Sequence, residues 1–191
     1  MNNDVKPLPV PRWLPWSLAV ASLALTACFV RVPDGVETVS DFELDRYLGT
    51  WYEVARLDHR FERGLSNVTA NYVLGEEGEV VVTNRGWKDE AGEWKQSVGR
   101  AVFVGDESVG QLKVSFFGPF YGGYNIMALD AAADDYRYAL VAGPNKGNLW
   151  LLSRTPSMDP ELRGELVARA RAAGFAVDEL IWVEQDRHTA P

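Results

Sequence analysis

The chain has 191 residues, 47% of them hydrophobic and 24% charged, which suits one domain with a real core and excludes a disordered tail or a polytopic membrane protein. One cysteine excludes a disulfide framework and any CxxC spacing, and two histidines, His59 and His188, are too few for an imidazole metal site; no metal or other cofactor is expected. A formal net charge of −8 argues against nucleic-acid binding, and aromatics at 12% suit an all-β protein or one that stacks on something apolar.

Residues 1–27 read as a leader. Lys6 and Arg12 form a weak positive region, and no charge follows until Arg31. The apolar stretch from Trp13 to Leu25 is a secretory h-region, and Leu25-Thr26-Ala27-Cys28 matches the bacterial lipobox, an aliphatic residue and two small ones before cysteine. A plain transmembrane anchor is the alternative, weakened by Pro15, Ser17 and Ser22 and by the lone cysteine falling where a lipobox needs it. Cleavage before Cys28 is therefore expected, with S-diacylglycerol and an N-acyl chain such as palmitate on that residue. Removing 1–27 leaves a net charge of −9. Phe29 follows the cysteine in place of an inner-membrane retention aspartate, so the expected location is the bacterial outer membrane, facing the periplasm. Residues 28–42, with Pro, Gly and acidic residues and no periodicity, read as a tether; 43–185 form the domain and 186–191 a tail.

From Trp51 onward short β-like runs alternate with turn residues. The runs are 51–57, 67–74, 79–87, 94–104, 111–116, 124–129, 136–142 and 149–153. No helix-length segment separates them, so neighbours must pair antiparallel, and eight such strands predict an up-and-down β-barrel without an exposed edge. Alternation places Val68, Ala70, Tyr72 and Leu74 on one face against Asn67, Thr69 and Asn71, and Leu112, Val114 and Phe116 against Gln111, Lys113 and Ser115. Strand parity puts Glu53, Ala70, Tyr72, Ala101, Phe103, Val114 and Tyr138 inside, Arg56 outside and Trp150 on either face. Small inward residues suggest space at the centre. Asp159 as N-cap, Pro160 at the first position and Glu161 in the first turn predict one helix over about 159–173, its apolar stripe Leu162, Leu166, Ala170 and Ala173 packing outside the barrel. Gly174 stops it, and a last extended run follows at 180–183.

In an antiparallel meander successive connections alternate between two ends. The start of strand one, the sixth-to-seventh turn and the end of strand eight thus share an end, which gathers Gly49, Trp51, Asp134, Asp135, Tyr136 and Arg154. There Arg154 can lie over the Trp51 indole and close that end. The other end is an open mouth of loops 58–66, 88–93, 117–123 and 143–148, with Phe61, Phe117, Phe120 and Tyr121 as rim candidates. Gly49-Thr-Trp-Tyr52, Asp134-Asp-Tyr136 and Arg154 in Leu152-Ser-Arg-Thr-Pro156 resemble the three signatures of the lipocalin family. Arg63-Gly-Leu-Ser-Asn-Val68 and Ser115-Phe-Phe-Gly-Pro-Phe-Tyr-Gly-Gly-Tyr124 are similar to its bacterial outer-membrane lipoproteins, relatives of apolipoprotein D and plant temperature-induced lipocalins.

The resemblance implies a lipid-anchored carrier of fatty acids or lysophospholipids that stores or transports them in the envelope, and it admits a homodimer. Two alternatives stand beside this reading: a structural lipoprotein with a filled barrel, and a lipocalin-fold enzyme acting on its lipid. Asp58-His59 is raw material for a general base, yet no activated nucleophile accompanies it, so no catalytic residue is assigned. Glu53 is either hydrogen-bonded near the base of the barrel or part of the ligand site.

Overall fold

The computed structural model describes residues 30–130 and 135–187. The leader, Cys28, Asp134 and His188 lie outside them. A single helical turn, α1 (Leu44–Tyr47), precedes β1 (Gly49–Arg56), β2 (Leu65–Leu74), β3 (Val80–Lys88), β4 (Glu93–Phe103), β5 (Gln111–Phe117), β6 (Phe120–Leu129), β7 (Tyr138–Ala142) and β8 (Leu149–Ser153). Then come α2 (Pro160–Ala172), a 3₁₀ turn at Val177–Glu179 and the two-residue β9 (Ile181–Trp182). Strands β2 to β8 pair in sequence order, and β1 pairs with both β8 and β2, closing the barrel. The eight-stranded antiparallel barrel and its outer helix are thus as the sequence predicts.

The chain builds two apolar cores. Inside lie Trp51, Tyr72, Val80, Val82, Ala101, Leu112, Ile126, Ala139, Val141 and Leu152, joined by Phe42 and Tyr47. Between the barrel wall and α2 lie Val54, Ala55, Met127, Leu140, Leu149 and Leu151, with Leu166 and Ala170 from the helix. The helix starts as predicted: Asp159 Oδ1 accepts from the N–H groups of Glu161 at 2.9 Å and Leu162 at 3.1 Å.

Three expectations need correction. Tyr138 packs in the outer cluster, because β7 is covered on both faces and Ala139 and Val141, not Tyr138, point into the barrel. Apolar residues on both faces erase the alternation that parity reads. The segment read as a tether is packed over residues 30–42: Val36 and Phe42 are buried, and backbone hydrogen bonds join Val39 N to Ile126 O and Phe42 N to Ser108 O. Its apolar residues are too far apart to show a period, yet Val32 and Val36 pack into the outer cluster and Val39 and Phe42 into the inner one. The first two residues of the presumed tail are held as well, since Asn67 Nδ2 donates to Asp186 and the Arg187 N–H donates to Asn67 Oδ1.

Candidate ligand-binding lumen

At one end the barrel is shut. Trp51 is fully buried, its Nε1 donates to Tyr47 O at 2.8 Å, and the Arg154 guanidinium carbon lies 3.9 Å from the centroid of its ring system. Arg154 donates to three carbonyls: Tyr136 O from Nε, Thr50 O from Nη1 and Arg46 O from Nη2, at 3.0, 3.0 and 2.9 Å. One guanidinium therefore ties α1, β1 and the segment before β7. Gly49 adopts φ 92°, and a Cβ there would meet Arg154 Nη1 at 3.5 Å. Tyr136 is buried and its hydroxyl accepts from the Glu43 N–H, while Asp135 stays exposed at the rim.

Burial along the inner face is uneven. Ala70, Val114, Phe116, Tyr124 and Trp150 face the inner cluster yet are only partly buried. Asn84, inward by alternation with Val80 and Val82, leaves its buried Oδ1 without a partner. Tyr72 and Ala101 are buried in the same cluster, and Phe103, partly buried, meets Phe42 edge-on at 6.0 Å. The Tyr47 and Tyr72 hydroxyls lie 2.5 and 2.8 Å from that of Tyr124. Burial pushes all three phenols up, so they remain neutral donors. Sequence reasoning missed Tyr47 and Tyr124, although parity with Ile126 gives Tyr124 an inward position.

Near the mouth the lumen carries a charge cluster. Glu53 and Arg56 are both buried and paired at 2.6 Å. Arg56 was expected outside; a bulge in β1 between Glu53 and Ala55 reverses the parity and turns it inward. Its Nη2 donates to Glu62 O and Leu65 O, at 2.9 and 3.0 Å, pinning the long first loop, while its buried Nε makes no hydrogen bond and lies 4.0 Å from Glu62 Oε2. Trp150, left on either face by the sequence, points inward and donates from Nε1 to Glu62 Oε2 at 3.0 Å. His59 Nε2 stands 2.8 Å from the same oxygen, an ion pair once the imidazole is protonated. Burial, reinforced by Glu62, pushes the Glu53 carboxyl up against the opposing pull of Arg56. Burial acts the same way on Glu62, but His59, Trp150 and Arg56 outweigh it and hold that carboxyl below its ordinary value. Burial thus dominates at Glu53, and the partners His59 and Trp150 at Glu62, so the two carboxyls shift in opposite directions.

Asp58 turns away from this cluster and forms a two-pronged pair with Arg63, at 3.0 and 2.7 Å. It does not orient His59, so the adjacent pair is no catalytic dyad. Among the described residues no three His, Cys, Asp or Glu side chains converge to hold a metal ion.

A closed eight-stranded antiparallel meander with an outer helix, plugged at one end by an arginine over a tryptophan, defines the lipocalin class. The lipocalin-like domain family matches residues 42–185, and the chain belongs to it. It is 51% identical over 168 residues to the outer membrane lipoprotein Blc of Escherichia coli K12, covering 87% of this chain and 93% of that relative. Similarity extends to temperature-induced lipocalin-1 of Arabidopsis thaliana, 32% identical over 154 residues, which covers 76% of this chain and 80% of the plant protein. Among solved structures, insecticyanin of the tobacco hornworm Manduca sexta superposes with a TM-score of 0.63 at 18% identity, covering 78% of this chain and 84% of insecticyanin, a likeness of fold. The chain is a lipocalin of the bacterial outer membrane.

Proposed function

We propose that the mature protein, acylated at Cys28, binds molecules with one long apolar chain, fatty acids or lysophospholipids, and stores or carries them in the envelope. The observation that supports this reading is that Ala70, Val114, Phe116, Tyr124 and Trp150 pack against the inner cluster yet are only partly buried. Removing an alkyl chain from water there gains about 25 cal/mol per Å² of apolar area, the largest driving force such a lumen offers. The Glu53–Arg56–Glu62 group lies where a polar head would sit when the chain points toward the tyrosine floor. Binding rather than catalysis fits a site whose His59 has a carboxylate neighbour but no nucleophile beside it.

Native mass spectrometry of the mature protein refolded with a lysophospholipid tests the reading, with a one-to-one adduct as the expected result. No adduct with either lipid class favours a structural lipoprotein, and turnover of the bound lipid favours an enzyme. Cys28→Ala tests the anchor: it should leave unprocessed precursor or a soluble product. A variant that still fractionates with the outer membrane at the mature mass would sink the lipobox assignment.

A further inference from the structure

The described chain begins at the mouth. The carbonyl oxygens of Val30 and Arg31 are each 3.3 Å from the position a Cβ on Gly123 would take. Gly123 lies three residues into β6, about 10 Å along the strand from Phe120 at the tip of the β5–β6 hairpin. Gly35, five residues on, lies beside Lys146 in the β7–β8 turn, another mouth loop. Only then does the segment run down the outside of β6 to Ser108 at the closed end. Cys28 precedes Val30 by two residues, which span at most about 7 Å. Whatever anchors Cys28 is therefore held beside the open end.

That end also carries the most exposed of the large apolar side chains among the described residues. Phe61, Phe117 and Phe120 are 64%, 67% and 75% exposed. Phe61 comes from the β1–β2 loop and Phe117 from the β5–β6 hairpin on the far side of the barrel, yet their rings meet at 6.4 Å, 28° from parallel. The Arg60 guanidinium lies 4.6 Å from the Phe61 centroid, and Arg31 is exposed beside the chain entry. Aromatic rings flanked by arginines match the boundary between acyl chains and anionic headgroups. On a protein of net charge −8, a rim of this kind has no use in bulk water.

We propose that the barrel docks mouth-down on the leaflet that holds its own lipid anchor, with Phe61, Phe117 and Phe120 inserted at the headgroup boundary. A ligand then passes between leaflet and lumen without crossing water. This rests on acylation of Cys28, and the test separates the two. In the mature acylated protein Cys28 has no free thiol, so a nitroxide can be placed uniquely at Phe120→Cys or, as the closed-end control, at Glu77→Cys in the β2–β3 turn. Both positions are exposed, and neither change should disturb folding. In vesicles of phosphatidylethanolamine and phosphatidylglycerol, the label at 120 should lose accessibility to a water-soluble nickel complex and gain it to oxygen. The label at 77 should do neither. Adding Phe61→Ser and Phe117→Ser should reverse the shift at 120. Intact mass reports acylation independently. Acylated protein with both labels in water overturns the docking and leaves the lipoprotein reading standing. Spin–spin broadening between labels at 120 overturns it in favour of a second copy covering the rim, and a mature mass without acyl chains overturns both readings.

Discussion

At the residue scale two arginines divide the barrel's work. Arg154 serves stability: its three hydrogen bonds to carbonyls of separate elements and its cover over Trp51 leave it no surface to offer a ligand inside. Arg154→Ala should cost about 2–4 kcal/mol by losing charged hydrogen bonds and the cover of a buried ring, read from urea unfolding. Ligand affinity in the folded fraction should stay near wild type, and lost affinity at unchanged stability would place the ligand at the wrong end of this description. Arg56 faces the lumen and shares its charge between Glu53 and Glu62. Because burial raises the Glu53 carboxyl above 4.5, the folded chain holds a proton that the unfolded chain releases, so stability falls as pH climbs from about 4.5 toward neutrality. Glu62, held low, acts oppositely and contributes stability lost only as pH drops below the ordinary glutamate range. Glu53→Gln should therefore flatten the thermal midpoint between pH 4.5 and neutrality while keeping the acid-side loss. A wild-type midpoint already flat there would mean that Arg56 keeps Glu53 ionised.

The elements show where a pattern can and cannot be read. The eight strands and the capped helix were legible because turn residues and period-two runs are local signals, and the shared end of Trp51, Tyr136 and Arg154 followed from meander topology alone. Arg56 was not, since a bulge is invisible to strict alternation; nor was Tyr138, since a strand covered on both faces has no polar side. Also hidden was the sealing of a seam. Strands β1 and β2 pair only from Gly49 to Tyr52, and toward the mouth β1 pairs with β9. The C-terminal segment bridges the gap: Val183 N donates to Val54 O, Asn67 N to Glu184 O, and Gln185 Nε2 to both Glu53 O and Val68 O at 2.8 and 2.9 Å. Gln185→Ala leaves two carbonyls without a donor and should cost about 1–3 kcal/mol. Hydrogen exchange should quicken first at Val183 and Asn67. Loss spread evenly over the barrel would show the strap to be only an edge decoration.

At the scale of the whole molecule the inner wall sets fully buried positions beside partly buried ones, and the two kinds should answer differently to added bulk. Ala101 is 1% exposed within the inner cluster, and Ala70 faces the same interior with surface to spare. A tryptophan at 101 enters a close-packed region and forces strain of about 1–3 kcal/mol or more. On the carrier reading a tryptophan at 70, across the ladder from Trp51, takes space that the ligand chain needs, so the thermal midpoint should stay near wild type while binding of a fluorescent fatty acid falls at least about tenfold, the equivalent of 1.4 kcal/mol. The pair of variants controls for itself: both add the same side chain to the same inner wall, and only the surroundings differ. A midpoint that collapses for Ala70→Trp as it does for Ala101→Trp, with wild type binding no fatty acid, would describe a barrel filled along its whole length, and the structural-lipoprotein reading would then take the place of the carrier.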